Sequence, residues 1–577
     1  MTLMKSSTVI AVAAIICNIM TATAETKSVS IRIVETSDVH GAFFPSAATK
    51  SSMAKVSTFI NSLRAEHGDN VILLDNGDIL QGQPVNYYYN FVATGDTNVA
   101  AQMTDYLGYD AQTPGNHDIE AGHAVYDKWM AESACRTVCA NVISSRTGST
   151  YTDPYIIIER AGVRVAVIGL LTPAIPNWLS EDLWEGLTFS EMTAAARQWV
   201  EYVRAHEKPD IIVGLFHSGW EGGIVTTDYA ENATREIAES VPGYDIIFFG
   251  HDHMARNVSV NNAAGTTVCL NPANSAANVA VAEIEATVTD GKVTVSSITG
   301  RIQDVSRLPD DRAYMAHFRK CMADVEAFIE RPIGIMADTI STRDCFFGSA
   351  PFTDFIHNAQ LKITGADISL NAPLAFDSYI PKGTVTVNDM FKLYKYENKL
   401  YVLEMTGEEV RKHLEMSYDQ WVNTMASPDD HIMKISQDTR GDSHRYGFEN
   451  MTFNFDSAAG IDYVVDVTKP DGQKVTILRM SNGQPFDEQK TYRVVMNSYR
   501  AAGGGELLTR GAGIPKEELD ARTLFRSERD LRHYLMEEIE RAGTVSPKAN
   551  GNWTFAPEEW TAPAIERDRE LLFPRSK

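Results

Sequence analysis

The chain has 577 residues, more than a single hydrophobic core usually serves, so two large units are expected. Its content of 44% hydrophobic and 22% charged residues is that of an ordinary globular protein and excludes wholesale disorder. The formal charge of -24 excludes polymeric nucleic acid as a partner, because such a surface repels a polyanion, whereas a small anionic substrate needs only a locally positive site.

Residues 1–24 read as a cleaved secretory leader, with Lys5, an apolar stretch over 9–20 and Ala22-Thr23-Ala24 as the cleavage site. The stretch falls short of the about 18–20 apolar residues a membrane span needs, so export to the periplasm or the medium without a permanent anchor is expected. From 25 to 305 short branched strands alternate with amphipathic segments, the pattern of layered α/β structure; the clearest strands are 31–34, 71–74, 163–170, 211–215 and 246–249. A linking helix is predicted within 306–333, where Tyr314, Phe318, Met322, Val325 and Phe328 fall at helical spacing before Arg331-Pro332. The second unit, 334–555, has its own helices near 352–364 and 408–416 and strands near 401–405 and 492–496, and 556–577 reads as a surface tail rich in proline and charge. Beyond the leader stand Cys135, Cys139, Cys269, Cys321 and Cys345, an odd set that is no disulfide scaffold; a bridge between Cys135 and Cys139 stays open beside buried thiols.

The informative pattern is where polar residues fall in the first unit. Asp38 and His40, then Asp78, then Asn116-His117-Asp118, then His217, then His251-Asp252-His253 all stand on loops, most of them directly after strands. In open α/β sheets such loops line one crevice. Imidazoles, carboxylates and an amide together suit zinc, manganese or iron, and a central aspartate offers two oxygens to bridge two ions; Asp78 is the candidate. A dinuclear pair of this kind activates water and clamps a phosphoryl group, which points to phosphate ester hydrolysis. Any one of these motifs alone reads as a capped turn; five in order do not. His123, His206, His317, His357, His413, His431 and His444 lack that context and read as surface or structural residues.

Asp38-Val39-His40-Gly41, Asn76-Gly77-Asp78, Gly115-Asn116-His117-Asp118, His217 and Gly250-His251-Asp252-His253 resemble the ordered motifs of the calcineurin-like metallophosphoesterases. The resemblance implies a four-layer α/β/β/α sandwich, one ion held by Asp38, His40, Asp78 and His253, and a second by Asp78, Asn116, His217 and His251. It further implies that His117 contacts the phosphate or the leaving oxygen, with Asp118 orienting its ring.

The second unit resembles the carboxyl-terminal α/β substrate domain of secreted 5'-nucleotidases and their 2',3'-cyclic-nucleotide phosphodiesterase relatives. The carriers are Asn371-Ala372-Pro373, Tyr396-Glu397-Asn398, Leu414-Glu415-Met416-Ser417, Phe453-Asn454-Phe455-Asp456 and Asn497-Ser498-Tyr499-Arg500-Ala501 with Gly503-Gly504. The resemblance implies that Tyr499 and either Phe453 or Phe455 sandwich a base, that Asn371 lies in the substrate site, and that Gly503 and Gly504 let backbone approach the ligand. Gly505 stands where 5'-nucleotidases carry an aspartate, and 345–354 has no nucleotide-holding arginine. Both departures favour the branch that opens 2',3'-cyclic phosphates and cleaves 3'-nucleotides. The alternatives are 5'-nucleotidase or UDP-sugar hydrolase, a thiosulfohydrolase of sulfur oxidation, or a surface binding protein without activity. With stacking rings and metal ligands in different units, hydrolysis is expected only with the domains closed.

Overall fold

The computed structural model describes residues 26–46, 49, 51–438 and 445–574. The leader and His444 lie outside the described residues.

Two six-stranded sheets face each other in the first unit. One runs in the order Lys292–Asp304, Asn278–Thr289, Thr26–Thr36, Val71–Asp75, Ala111–Gln112, Arg136–Thr137, and the other Arg256–Asn262, Gly265–Asn271, Ile246–Phe249, Ile211–His217, Val163–Leu171, Tyr155–Arg160. Alternate apolar side chains such as Ile31, Ile33, Val165, Val167, Val213 and Phe248 meet between the sheets. The outer face of the first sheet is covered by Met53–His67, Val99–Leu107 and His123–Glu132, and that of the second by Met192–His206 and Thr234–Ser240. This is the four-layer α/β/β/α arrangement. The expected strands all form, and the parallel central ones end on the same side.

The linking segment is two helices, Arg312–His317 and Arg319–Ile329, and Tyr314, Phe318, Cys321 and Val325 belong to the core of the first unit. The second unit is built on a five-stranded sheet in the order Ser457–Ala459, Ile368–Asn371, Thr491–Asn497, Lys399–Thr406, Thr523–Asp530, with Pro351–Thr364 and Gly407–Trp421 among its packed helices. The expectation of a surface tail after 555 fails. Glu558–Leu572 is a helix whose Ala564 and Leu572 enter the second core, and its buried Asp568 accepts hydrogen bonds from His431 and from the Met433 amide. Its glutamates are exposed, and the apolar positions were too sparse to mark the buried face. All five described cysteines are free, buried thiols.

Candidate active site

The loops leaving the parallel strands converge. Asp38, His40 and His253 bring one donor atom each to a common point, and Asp78, His217 and His251 do so beside it, each set within 4.8 Å. The Asp78 carboxylate links the two: Oδ2 lies 3.2 Å from His217 Nε2 and 3.9 Å from His40 Nε2. Its Oδ1 accepts the His117 backbone N–H at 2.8 Å, so one oxygen, not two, faces both groups. Asn116 Oδ1 completes the second group, 3.1 Å from His217 Nε2 and 2.8 Å from His251 Nδ1.

Outer partners fix which ring nitrogen faces inward. His217 Nδ1 points at the Asn76 carbonyl (2.6 Å), His40 Nδ1 at the Gln81 carbonyl (3.2 Å) and His251 Nε2 at the Glu231 carboxylate (3.0 Å). An acceptor on the outer nitrogen holds the proton there and leaves a lone pair inside, which is how metal-binding imidazoles are presented. His40 Nε2 and His253 Nε2 stand 3.1 Å apart, an approach that needs a shared proton or cation between them. The donor set therefore fits two divalent ions, and its mixed nitrogen and oxygen character suits zinc, manganese or iron. Asp38, His40, Asp78, His251 and His253 all have positive φ, between 48° and 71°. Side-chain residues in that region carry about 1–3 kcal/mol of strain each, held by the surrounding packing and typical of functional sites. Gly115 is required by space: a Cβ there would lie 2.2 Å from Asp78 Oδ1.

Among the protein groups alone, burial pushes the Asp38 carboxyl up, but the His253 hydrogen bond and nearby histidines outweigh it and hold it at about 2. Burial lowers His117, yet the Asp78 and Glu120 carboxylates reverse this and raise it to about 9.

His117 lies where the sequence places it, but its ring partner differs. Nδ1 contacts Glu120 Oε2 at 2.5 Å, one turn along the helix Asn116–Glu120. Asp118 does not touch the ring. Its two oxygens accept the backbone N–H groups of Asp78, Ile79, Leu80 and Gly115, at 2.8 to 2.9 Å, and so clamp the loop that carries Asp78.

A cleft of about 210 Å³ opens between the two units, walled by Asn116, His117 and His251 on one side and by Phe453 and Tyr499 on the other, with Trp178 beside them. Phe453 meets Tyr499 edge to face at 6.0 Å. Phe455 is excluded as a stacking residue: it is fully buried and stacks on Trp421 at 5.3 Å in the second core. A buried pair holds the aromatic wall. Arg500 binds Asp456 through two nitrogens and also donates to the carbonyls of Phe453 and Gly504, while His413 Nε2 lies 2.8 Å from the same aspartate. Burial raises Asp456, but Arg500 and His413 outweigh it and bring it to about 2.

The glycines serve packing rather than ligand approach. A Cβ on Gly504 would strike the Tyr499 ring at 2.5 Å, and Gly503 turns the chain at φ +94° against Lys516. Neither they nor Asn371 line the cleft; Asn371 ends the strand Ile368–Asn371 in the buried interior. Glu120, Glu231 and Trp178 were missed from the sequence. Only Glu120 left a local signal, its i,i+3 spacing from His117.

Across the cleft the two units are already in contact. Gln81 donates to Glu397, Tyr87 to Asp530, and Asp182 receives both Lys399 (3.2 Å) and Tyr401 (3.1 Å). These contacts accompany a cleft lined by side chains of both units.

Comparison with known proteins agrees with this geometry. Residues 31–255 match the calcineurin-like phosphoesterase family and residues 327–510 the 5'-nucleotidase C-terminal domain. A 2',3'-cyclic-nucleotide 2'-phosphodiesterase/3'-nucleotidase of Salmonella typhimurium is 26% identical, over 94% of this chain and 92% of that one. A 5'-nucleotidase of Vibrio cholerae is 28% identical over 37% of each chain. In fold, the 5'-nucleotidase precursor of Thermus thermophilus superposes with a TM-score of 0.62 at 20% identity, over 91% of this chain and 99% of that one. The chain belongs to the phosphoric ester hydrolases that join a calcineurin-like phosphoesterase domain to a 5'-nucleotidase C-terminal domain.

Proposed function

We propose that this chain is an exported enzyme that opens 2',3'-cyclic nucleotides at the 2' ester and then releases phosphate from 3'-nucleotides. One observation carries the reading: a single cleft has the candidate metal ligands Asn116 and His251 on one wall and the rings of Phe453 and Tyr499 on the other. Groups suited to a phosphate and rings suited to a base thus line one cleft. The Salmonella typhimurium relative, which matches nearly the whole chain, carries both activities in its name. The leader pattern supports export, and no helix of the described residues is long and apolar enough to cross a membrane.

Asp38, His40 and His253 would hold one ion and Asn116, His217 and His251 the other, with Asp78 reaching both; the pair supplies electrophilic activation of the phosphate and of a water. The chain's own groups do the rest. Glu120 holds the His117 ring by Nδ1, which leaves Nε2 to donate a proton or hydrogen bond to the phosphate or to the leaving ribose oxygen. Tyr499 and Phe453 hold the base by contacts that tolerate any base identity. Contact between the units over the cleft would shield the rings from water and hold the ester beside His117.

A second reading, 5'-nucleotidase, is favoured by the Vibrio cholerae relative. Phosphate release from 2',3'-cyclic, 3' and 5' adenylate, with manganese, zinc or chelator, separates the two. Metal-dependent release from the cyclic and 3' substrates supports the proposal; release from the 5' ester alone moves it to the second reading.

A further inference from the structure

The loop that follows the strand Val163–Leu171 carries none of the candidate metal ligands, yet it reaches the cleft. It ends in the short helix Ile175–Trp178, and the Trp178 ring sits 5.6 Å from the ring of His251, tilted by 37°. It shares the cleft with Phe453 and Tyr499 but comes from the opposite unit. The ring is partly buried, and part of it packs against the core of the first unit.

The loop is built to hold this ring in place. The Thr172 N–H donates to the His217 carbonyl, its hydroxyl donates to the Glu231 carbonyl, and the Asn177 amide bonds the Tyr229 hydroxyl. The ring packs in part against the first core and in part lines the cleft beside His251, so packing accounts for only some of its surface. Phe453 and Tyr499 meet edge to face, so they do not by themselves form a parallel slot for a base.

We infer that Trp178 is a substrate-contacting residue: the wall supplied by the metal-binding unit against the nucleoside of the bound ester, through its ring face. The inference rests on the nucleotide reading above and adds the residue that couples the phosphate site to the nucleoside site. A 2' or 3' phosphate is attached one bond closer to the ribose ring than a 5' phosphate. The nucleoside of such an ester therefore stays near His251, where Trp178 stands. The same segment carries Asp182, which meets Lys399 and Tyr401 of the second unit, so the ring is held in the cleft it shares with Tyr499.

The test uses the full, manganese-loaded enzyme turning over 3'-adenylate, with adenosine and inorganic phosphate as separate competitive inhibitors. Adenosine probes only the nucleoside contacts and phosphate only the metal side. Trp178→Ala is expected to raise the Ki of adenosine about tenfold while leaving that of phosphate within about twofold, and Trp178→Phe to recover most of the loss. An unchanged adenosine Ki overturns the inference. So does a parallel rise of both constants, which assigns Trp178 to support of His251. Failure of the unaltered enzyme to hydrolyse any nucleotide overturns the nucleotide reading itself, a result distinct from either.

Discussion

The imidazole of His117 meets the carboxylate of Glu120, Nδ1 to Oε2 at 2.5 Å, while the neighbouring Asp118 turns away and takes four backbone N–H groups. Two acidic residues two positions apart therefore have different work. Glu120→Gln is expected to lower kcat about 100-fold, the scale of a lost acid or base, with metal content and thermal midpoint kept. Asp118→Ala leaves four buried donors without an acceptor and loosens the Asp78 loop, so metal content and thermal midpoint fall together. Steady-state kinetics beside metal analysis of the two variants checks this.

Phe453 and Phe455 are separated by one residue and divide in the same way. Phe453→Ala is expected to raise KM for adenylates about tenfold with little change in stability. Phe455→Ala removes a fully buried ring stacked on Trp421 and is expected to cost about 3–5 kcal/mol, with KM nearly unchanged in the protein that remains folded. Urea unfolding and adenylate kinetics on both variants give the comparison.

Acid should destabilise the second unit through a buried histidine. His357 is fully buried between the hydroxyls of Ser369 and Ser457, and burial, partly opposed by Asp354 and Asp456, lowers it from 6.5 to about 4. A folded value below the unfolded one means that the neutral ring stabilises the fold at pH above 6.5. That contribution is lost as pH falls from there toward about 4, amounting to about 3 kcal/mol. His413 is shifted in the same direction by burial. Urea midpoints measured across this range should fall for the unaltered protein and fall less for His357→Gln.

The metal-binding half was legible because its donors sit at or beyond the ends of short parallel strands, His217 as the last residue of its strand and Asn116 as the first of a helix, and strand direction fixes where those ends lie. Asp38, His40, Asp78, Asn116, His217, His251 and His253 all converge as that logic requires. The roles of Asp118 and Glu120 were not legible from adjacency, because a helical turn presents residue i+3, not i+1, to a given ring. The choice between Phe453 and Phe455 was not legible either, because it is made by the 3-10 turn Thr452–Asn454, which points one ring at Tyr499 and leads the next into the core. Trp178 and Glu231 gave no signal at all. Their significance comes from His251, which is distant in sequence and reaches them only through the packing of the second sheet and its hairpin.

The donor set calls for two ions that share Asp78 beside a cleft whose far wall is Tyr499. Anomalous diffraction from crystals grown with manganese and soaked with adenosine tests it most directly. Two adjacent peaks flanking Asp78 are expected, one among Asp38, His40 and His253 and one among Asn116, His217 and His251, with the adenine against Tyr499. A single peak, peaks away from Asp78, or adenine bound outside the interdomain cleft would contradict it.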